Sequence, residues 1–150
     1  MKDLVLQFTK RVKNVDLIAI SIGFIYLWFG TLKFFPEVSP AEELAKNTIE
    51  KVTFGLIPLN EAYFILAFWE VSIGIMLMIG FFKRFAIIAA LIHLVFTFTP
   101  LILFPEVSFQ NLPYSFTIVG QYIVKNIVIF SALLVLLKQT NSKLNQIPAA

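Results

Sequence analysis

No cysteine occurs anywhere in this 150-residue chain. Disulfides, thiolate relays, iron–sulfur clusters and Cys-ligated zinc are therefore excluded, since each needs a sulfur nucleophile or ligand. The chain has one histidine, His93, which cannot by itself supply both imidazoles of a bis-His haem and leaves only a His with a non-His partner. No metal site is expected. Charge is also scarce: Asp, Glu, Lys and Arg make up 14% of the residues, against about 25% in soluble proteins. With hydrophobic types at 59%, a water-soluble globule is ruled out. The formal charge of +3 does not point to nucleic acid, because the basic residues flank apolar runs and so have a topological role.

What is present falls into four apolar blocks, 15–35, 58–82, 85–104 and 114–137. Each is close to the ~20 residues needed to cross ~30 Å of hydrocarbon at ~1.5 Å per residue. The expected fold is all-α: one domain over residues 1–150, a four-transmembrane-helix bundle with short amphipathic interfacial helices. Lys2, Lys10, Arg11 and Lys13 precede the first span, Lys83 and Arg84 form the second turn, and Lys138 and Lys143 follow the last. The opposite loops hold Lys46 and Lys51, outnumbered by Glu37, Glu42, Glu43, Glu50 and Glu106. Positive residues mark the cytoplasmic side, so both termini are expected inside a bacterial inner membrane.

The N-terminal apolar run is too long for a signal peptide and lacks a small-residue cleavage site, so it is expected to stay as the first helix. Before it, Leu4, Val5, Phe8 and Val12 recur at helical spacing among Lys10, Arg11 and Lys13. That pattern suits either an amphipathic helix on an anionic leaflet or a frayed tail. Ser39-Pro40-Ala41-Glu42 has the form of a capping box with proline at the first helical position, which predicts a helix over 40–53. Leu44, Ala45, Ile49 and Val52 would share one face, as an interfacial spacer or as a lid over the bundle mouth. Phe35-Pro36-Glu37-Val38-Ser39 returns as Phe104-Pro105-Glu106-Val107-Ser108. We read this repeat as two similar helix exits in which proline stops the helix.

Ionisable residues inside the apolar blocks are the informative ones. A lone mid-membrane charge costs ~2.5–3.5 kcal/mol on insertion scales, so Glu70 and Lys125 each need a partner, water or a neutral form. Glu70 lies about 12 residues below Pro58 and Lys125 about 11 below Tyr114, or ~17–18 Å each, and His93 counts back from Phe104 to the same level. The arithmetic predicts a Glu70–Lys125 pair near the midplane. Residues three or four apart share a helix face, which extends these points into stripes: Gly23, Tyr26, Gly30 and Lys33 on span one, Tyr63, Ala67, Glu70 and Gly74 on span two, His93, Thr97 and Pro100 on span three, Gln121 and Lys125 on span four. Small residues on the stripes allow close helix approach.

The polar side chains crowd the outer half, whereas 75–82, 85–92 and 127–137 are nearly all apolar. That asymmetry describes a pocket open outward or into lipid better than a continuous pore, because a relay needs groups on both sides. The polar pocket is thus expected to involve Glu70, Lys125, His93, Lys33, Gln121, Thr97, Tyr26 and Tyr63, with no catalytic residue assigned. A buried pair that only fixes helix register, and a His that only bonds within the core, are the alternatives.

Tyr26-Leu-Trp-Phe-Gly-Thr-Leu-Lys-Phe-Phe-Pro36, followed by Ser39-Pro40-Ala-Glu-Glu-Leu44, then Glu70 and Lys125, resembles the DoxX-like family of small four-helix bacterial inner-membrane proteins over roughly residues 15–137. The Gly30-x-x-Lys33-Phe34 segment is its most specific part. The family name derives from a thiosulfate:quinone oxidoreductase subunit, and relatives are linked to redox-stress complexes and membrane-protein assembly. The resemblance implies a membrane subunit with a midplane pocket for a quinone as ligand, its carbonyl oxygens meeting Lys125 or His93. Electrons would come from a protein partner. Thiol-dependent roles do not carry over, because cysteine is absent. The alternative is a non-catalytic scaffold or assembly factor; the lipid bilayer is the partner in either case, nucleic acid in neither, and homo-oligomerisation stays open.

Overall fold

The computed structural model describes residues 16–35, 37–39 and 41–144, with side chains as far as Ser142. The amphipathic stretch read over 1–14, its basic residues, Pro36 and Pro40 lie outside the described residues. The chain is mostly helical: α1 Leu17–Leu32, α2 Glu42–Thr53, α3 Leu59–Ile79, α4 Lys83–Phe98, the single turns α5 Pro100–Leu103 and α6 Pro105–Ser108, strands β1 Phe109–Asn111 and β2 Ser115–Phe116, and α7 Ile118–Leu144. Among the described residues, three helical segments are long and apolar enough to cross a membrane, Leu59–Ile79, Lys83–Leu103 and Ile118–Ser142. The first apolar helix has 16 residues, a length of ~24 Å. Large apolar side chains such as Phe24, Trp28, Phe64, Trp69, Phe85 and Val128 face outward, which in water would be a severe liability and in lipid is the expected surface.

Local chemistry sets the ends of these helices. The Asp16 carboxylate accepts from the Ala19 N–H to cap α1 and also pairs with Lys83, tying the start of α1 to the start of α4. Gly80, at φ 78°, closes α3 in the left-handed conformation, where a side chain would be strained. Pro100 has no N–H to continue α4, and the helix breaks at Thr99, whose hydroxyl turns back to the Phe96 carbonyl. Pro105 opens α6 at its first turn, as a proline is suited to do. The two similar exits differ in outcome: Glu37 takes a positive φ of 63°, whereas Glu106 is helical within α6.

The expected capping box does not form. The helix starts at Glu42 with Ala41 before it and no side-chain cap. The Glu42 carboxylate instead accepts from the Glu37 N–H at 3.0 Å and from Lys46 Nζ at 2.7 Å. A carboxylate that can satisfy an upstream N–H and a lysine one turn ahead has no need of the reciprocal arrangement with Ser39.

The closest packing is between α1 and α3, which run antiparallel. A Cβ on Gly74 would stand 2.6 Å from the Leu27 N, one on Gly23 2.8 Å from the Gly74 O, and one on Gly30 2.9 Å from the Glu70 Cβ. The small residues on the two stripes thus put the backbones in direct contact. These contacts also fix the register. The end of α1 lies level with Glu70, 11 residues beyond the start of α3, so roughly 16 Å of α3 projects past α1. α2 packs against that projecting part. On the other side of the Glu70 level the core is apolar, built from Ala19, Ile22, Ile73, Leu77, Ala86, Ile87, Ala90, Leu94, Leu133 and Leu136.

The connection between α6 and α7 is a two-stranded antiparallel hairpin, Phe109 pairing with Phe116, whose second strand falls inside the apolar block counted from 114. As a result α7 starts at Ile118 rather than at 114, and Tyr114 lies in the turn, exposed. Gly120 seats α7 against α6: its Cβ would fall 2.0 Å from the Ser108 O, so only glycine fits.

Candidate functional site

Four side chains predicted from the stripes meet at the level where α1 ends. Glu70, on α3, is 5% exposed. Its Oε2 receives Lys33 Nζ at 2.6 Å, and its Oε1 faces His93 Nε2 at 3.0 Å. On the far side of the imidazole, His93 Nδ1 stands 3.1 Å from Tyr26 Oη, whose hydroxyl is also 3.2 Å from the Ala90 carbonyl. Helices α1, α3 and α4 are thereby linked through one chain of polar contacts.

The predicted Glu70–Lys125 pair is not formed. Lys125 is exposed, on the outward side of α7, with Nζ 5.2 Å from the Tyr122 ring centroid. Two helix ends lie elsewhere than the depth count placed them. The hairpin shifts the start of α7 by four residues, so Lys125 stands seven residues inside the helix, ~10 Å rather than ~17 Å. Conversely, Lys33 sits at the C-terminus of a helix that ends deep, so its ammonium is at Glu70 without reaching inward. The location suits a lysine, whose charge complements the negative end of the helix; Nζ is also 3.4 Å from the Phe29 carbonyl.

Gln121 is likewise exposed on α7 and does not join the cluster. Thr97 stands one turn from His93 but donates its hydroxyl to the His93 carbonyl at 3.0 Å, which leaves it as a wall rather than a donor. Tyr63 is buried, with its hydroxyl free of any hydrogen-bond partner among the described residues. Above it, Lys46 of α2 places Nζ 5.2 Å from the Tyr63 ring centroid while paired with Glu42. In the sequence Lys46 stands among the loop charges. Its i, i+4 spacing to Glu42 was visible, but that it stands over Tyr63 depends on where α2 docks.

The imidazole can hold its proton in two ways. Nε2 faces a carboxylate, an acceptor, and so carries hydrogen. With His93 neutral, Nδ1 accepts from the Tyr26 hydroxyl. With His93 protonated, Nδ1–H donates to Tyr26 Oη, and the hydroxyl turns to the Ala90 carbonyl. Both arrangements satisfy His93 and the Tyr26 hydroxyl, so one proton can be added without orphaning a buried donor, the event that makes such changes costly.

The buried polar residues Ser39, Thr48, Glu70 and Ser108 all lie at the Glu70 level or toward the α2 end, as the asymmetry of the sequence suggested. Among the described residues, no group of three His, Cys, Asp or Glu side chains is placed to hold a metal ion. No family model, no curated protein and no solved structure matches the chain.

Proposed function

We propose that the chain is a four-span protein of a bacterial inner membrane, both termini cytoplasmic, and a DoxX-like subunit whose site around Glu70 takes a quinone. The observation that carries this reading is the Tyr26–His93–Glu70–Lys33 chain: a buried, hydrogen-bonded route that accommodates one more proton without breaking, at a depth a membrane-soluble molecule reaches. A quinone, when bound, supplies carbonyl chemistry that consumes protons as it accepts electrons from a partner protein. This chain's residues do the rest. Lys33 pairs with Glu70, Glu70 orients His93, and His93 with Tyr26 forms the hydrogen-bonded route along which a proton can pass. Lys125, facing outward, has no part in it.

A second reading, a non-catalytic scaffold or assembly factor, is favoured by the fact that Lys33, Glu70, His93 and Tyr26 are all satisfied by one another. One preparation separates the two. Protein purified in mild detergent is extracted with organic solvent and the extract analysed for quinone: near-stoichiometric recovery is expected, and an extract free of quinone supports the scaffold. For topology, a periplasmic-type reporter fused after Ala150 should be silent; an active one overturns the orientation.

A further inference from the structure

The cluster around Glu70 leaves one polar group over. Two cations and two anions stand near Tyr63, and they are matched one to one: Lys33 with Glu70 at 2.6 Å, Lys46 with Glu42 at 2.7 Å. His93 and Tyr26 are engaged with each other. The Tyr63 hydroxyl is different. Its residue is 5% exposed and the oxygen makes no hydrogen bond of good geometry within the described structure, the Ser39 side chain being the polar group that stands beside it. A buried hydroxyl without a partner loses its hydration with no return. The group stands between the ion pair at Glu70 and the α2 helix, which lies over it through Lys46. At the end of α1, Phe34 and Phe64 of α3 meet edge-on at 5.1 Å, an apolar contact between the two helices.

We propose that Tyr63 Oη is the docking donor for an uncharged, apolar molecule bearing a hydrogen-bond acceptor, a carbonyl oxygen in particular, bound beneath α2. Charge balance selects the class. With both cations already neutralised, an anionic head group would bring uncompensated charge into a site of low polarity, whereas a carbonyl takes the one uncommitted hydroxyl proton and adds no charge. The inference rests on the ligand-binding reading above and names the class that the same site accepts. It also moves the contact point: the carbonyl meets Tyr63, while Lys33 and His93 stay committed to Glu70. A quinone and the ester carbonyl of a phospholipid share this chemistry.

The test uses the full chain and Tyr63→Phe, which removes the hydroxyl and keeps the ring under Lys46. Binding of three probes is measured by titration in detergent: a short-chain benzoquinone, dioctanoyl phosphatidylcholine and decanoate. Thermal stability is followed with and without each probe. The benzoquinone should bind the wild type and bind Tyr63→Phe about tenfold more weakly, as expected for loss of a hydrogen bond to a buried group. Without probe, the variant should melt at a higher temperature than the wild type, because the orphaned hydroxyl is gone. If phosphatidylcholine instead shows the Tyr63-dependent binding, the docking donor stands and the ligand is lipid. Tyr63-dependent binding of decanoate overturns the choice of an uncharged ligand. Equal benzoquinone binding by both proteins overturns Tyr63 as the donor and leaves the quinone reading intact; if the variant is also less stable, the hydroxyl serves a buried water. A wild type that binds none of the three overturns both.

Discussion

Removing Lys33 should be far more damaging than removing Lys125, and removing Lys33 together with Glu70 less damaging than removing Glu70 alone. The Lys33 and Glu70 side chains are 9% and 7% exposed and 2.6 Å apart, which places them in the class of buried pairs where loss of one partner costs about 3–5 kcal/mol. The two single changes are not equivalent. In Lys33→Met the carboxylate keeps His93 at 3.0 Å, so the cost should fall near ~3 kcal/mol; in Glu70→Leu, Lys33 and His93 are left without their shared anion, and the cost should approach ~5 kcal/mol. In the double variant no lysine charge remains to be neutralised and both replacements are apolar, so the cost should fall below that of Glu70→Leu. The non-additivity should exceed ~3 kcal/mol, well above the ~0.5 kcal/mol scatter of independent sites. Lys125→Met, on an exposed outward side chain, should stay within ~0.5 kcal/mol. Reversible unfolding in mixed micelles, followed by far-ultraviolet circular dichroism, reads all five proteins. Additive single costs, or a Lys125→Met as costly as Lys33→Met, would refute the argument.

Two further outcomes follow from packing and from charge. Gly74→Ala puts a methyl 2.6 Å from the Leu27 backbone N, where nothing flexible can yield, so α1 and α3 must separate; a loss of at least ~1–3 kcal/mol is expected in the same assay, and a neutral result would mean that the contact is looser than described. At α2, the Glu42 carboxyl is held below its ordinary value of 4.5, first by the hydrogen bond from Lys46 and then by the Glu37 N–H. Its folded value is depressed, so its contribution is complete above the unfolded value and is lost as pH falls through the folded one. Amide protection in α2, taken relative to the intrinsic exchange rate at each pH, should therefore fall on acidification, and Glu42→Gln should remove that dependence; protection in the wild type that does not change with pH contradicts the role given to Glu42.

Much of this arrangement was legible because helical spacing is rigid. Once Glu70 and Gly74 are placed on one face, Tyr63 and Ala67 must follow, and the Gly23–Gly30 stripe has only one kind of surface to meet. His93 at the level of Glu70 came from counting residues at a fixed rise. The partner lysine was not legible for the same reason: a rise per residue is useful only if the helix end is known. The short hairpin before Ile118 closes with Tyr114 and Phe116, so its last residues read as the start of the apolar run. The shortness of α1 leaves no mark either, since Phe34 and Phe35 prolong the run past its last turn. That α2 fills the space above α1, bringing Lys46 over Tyr63, follows from where α1 stops and so shares that obscurity.

On the membrane reading proposed above, the Lys33–Glu70 contact also bears on how the chain would enter a bilayer during synthesis. The two charges are separated by 37 residues, so when α1 emerges its lysine stands at a helix end with no anion yet made, and α3 then arrives carrying a carboxylate at its middle. Glu70 alone would face the ~2.5–3.5 kcal/mol reluctance of a charge at a helix centre to leave the translocon for lipid, and Lys33 would reach its depth without a counter-charge. The glycines that let α1 and α3 touch bring the two charges together as soon as both helices are present. The pair is thus best handed over as a finished hairpin, with α1 waiting beside the channel for α3; α4, which supplies His93, joins a unit whose charges are already neutral.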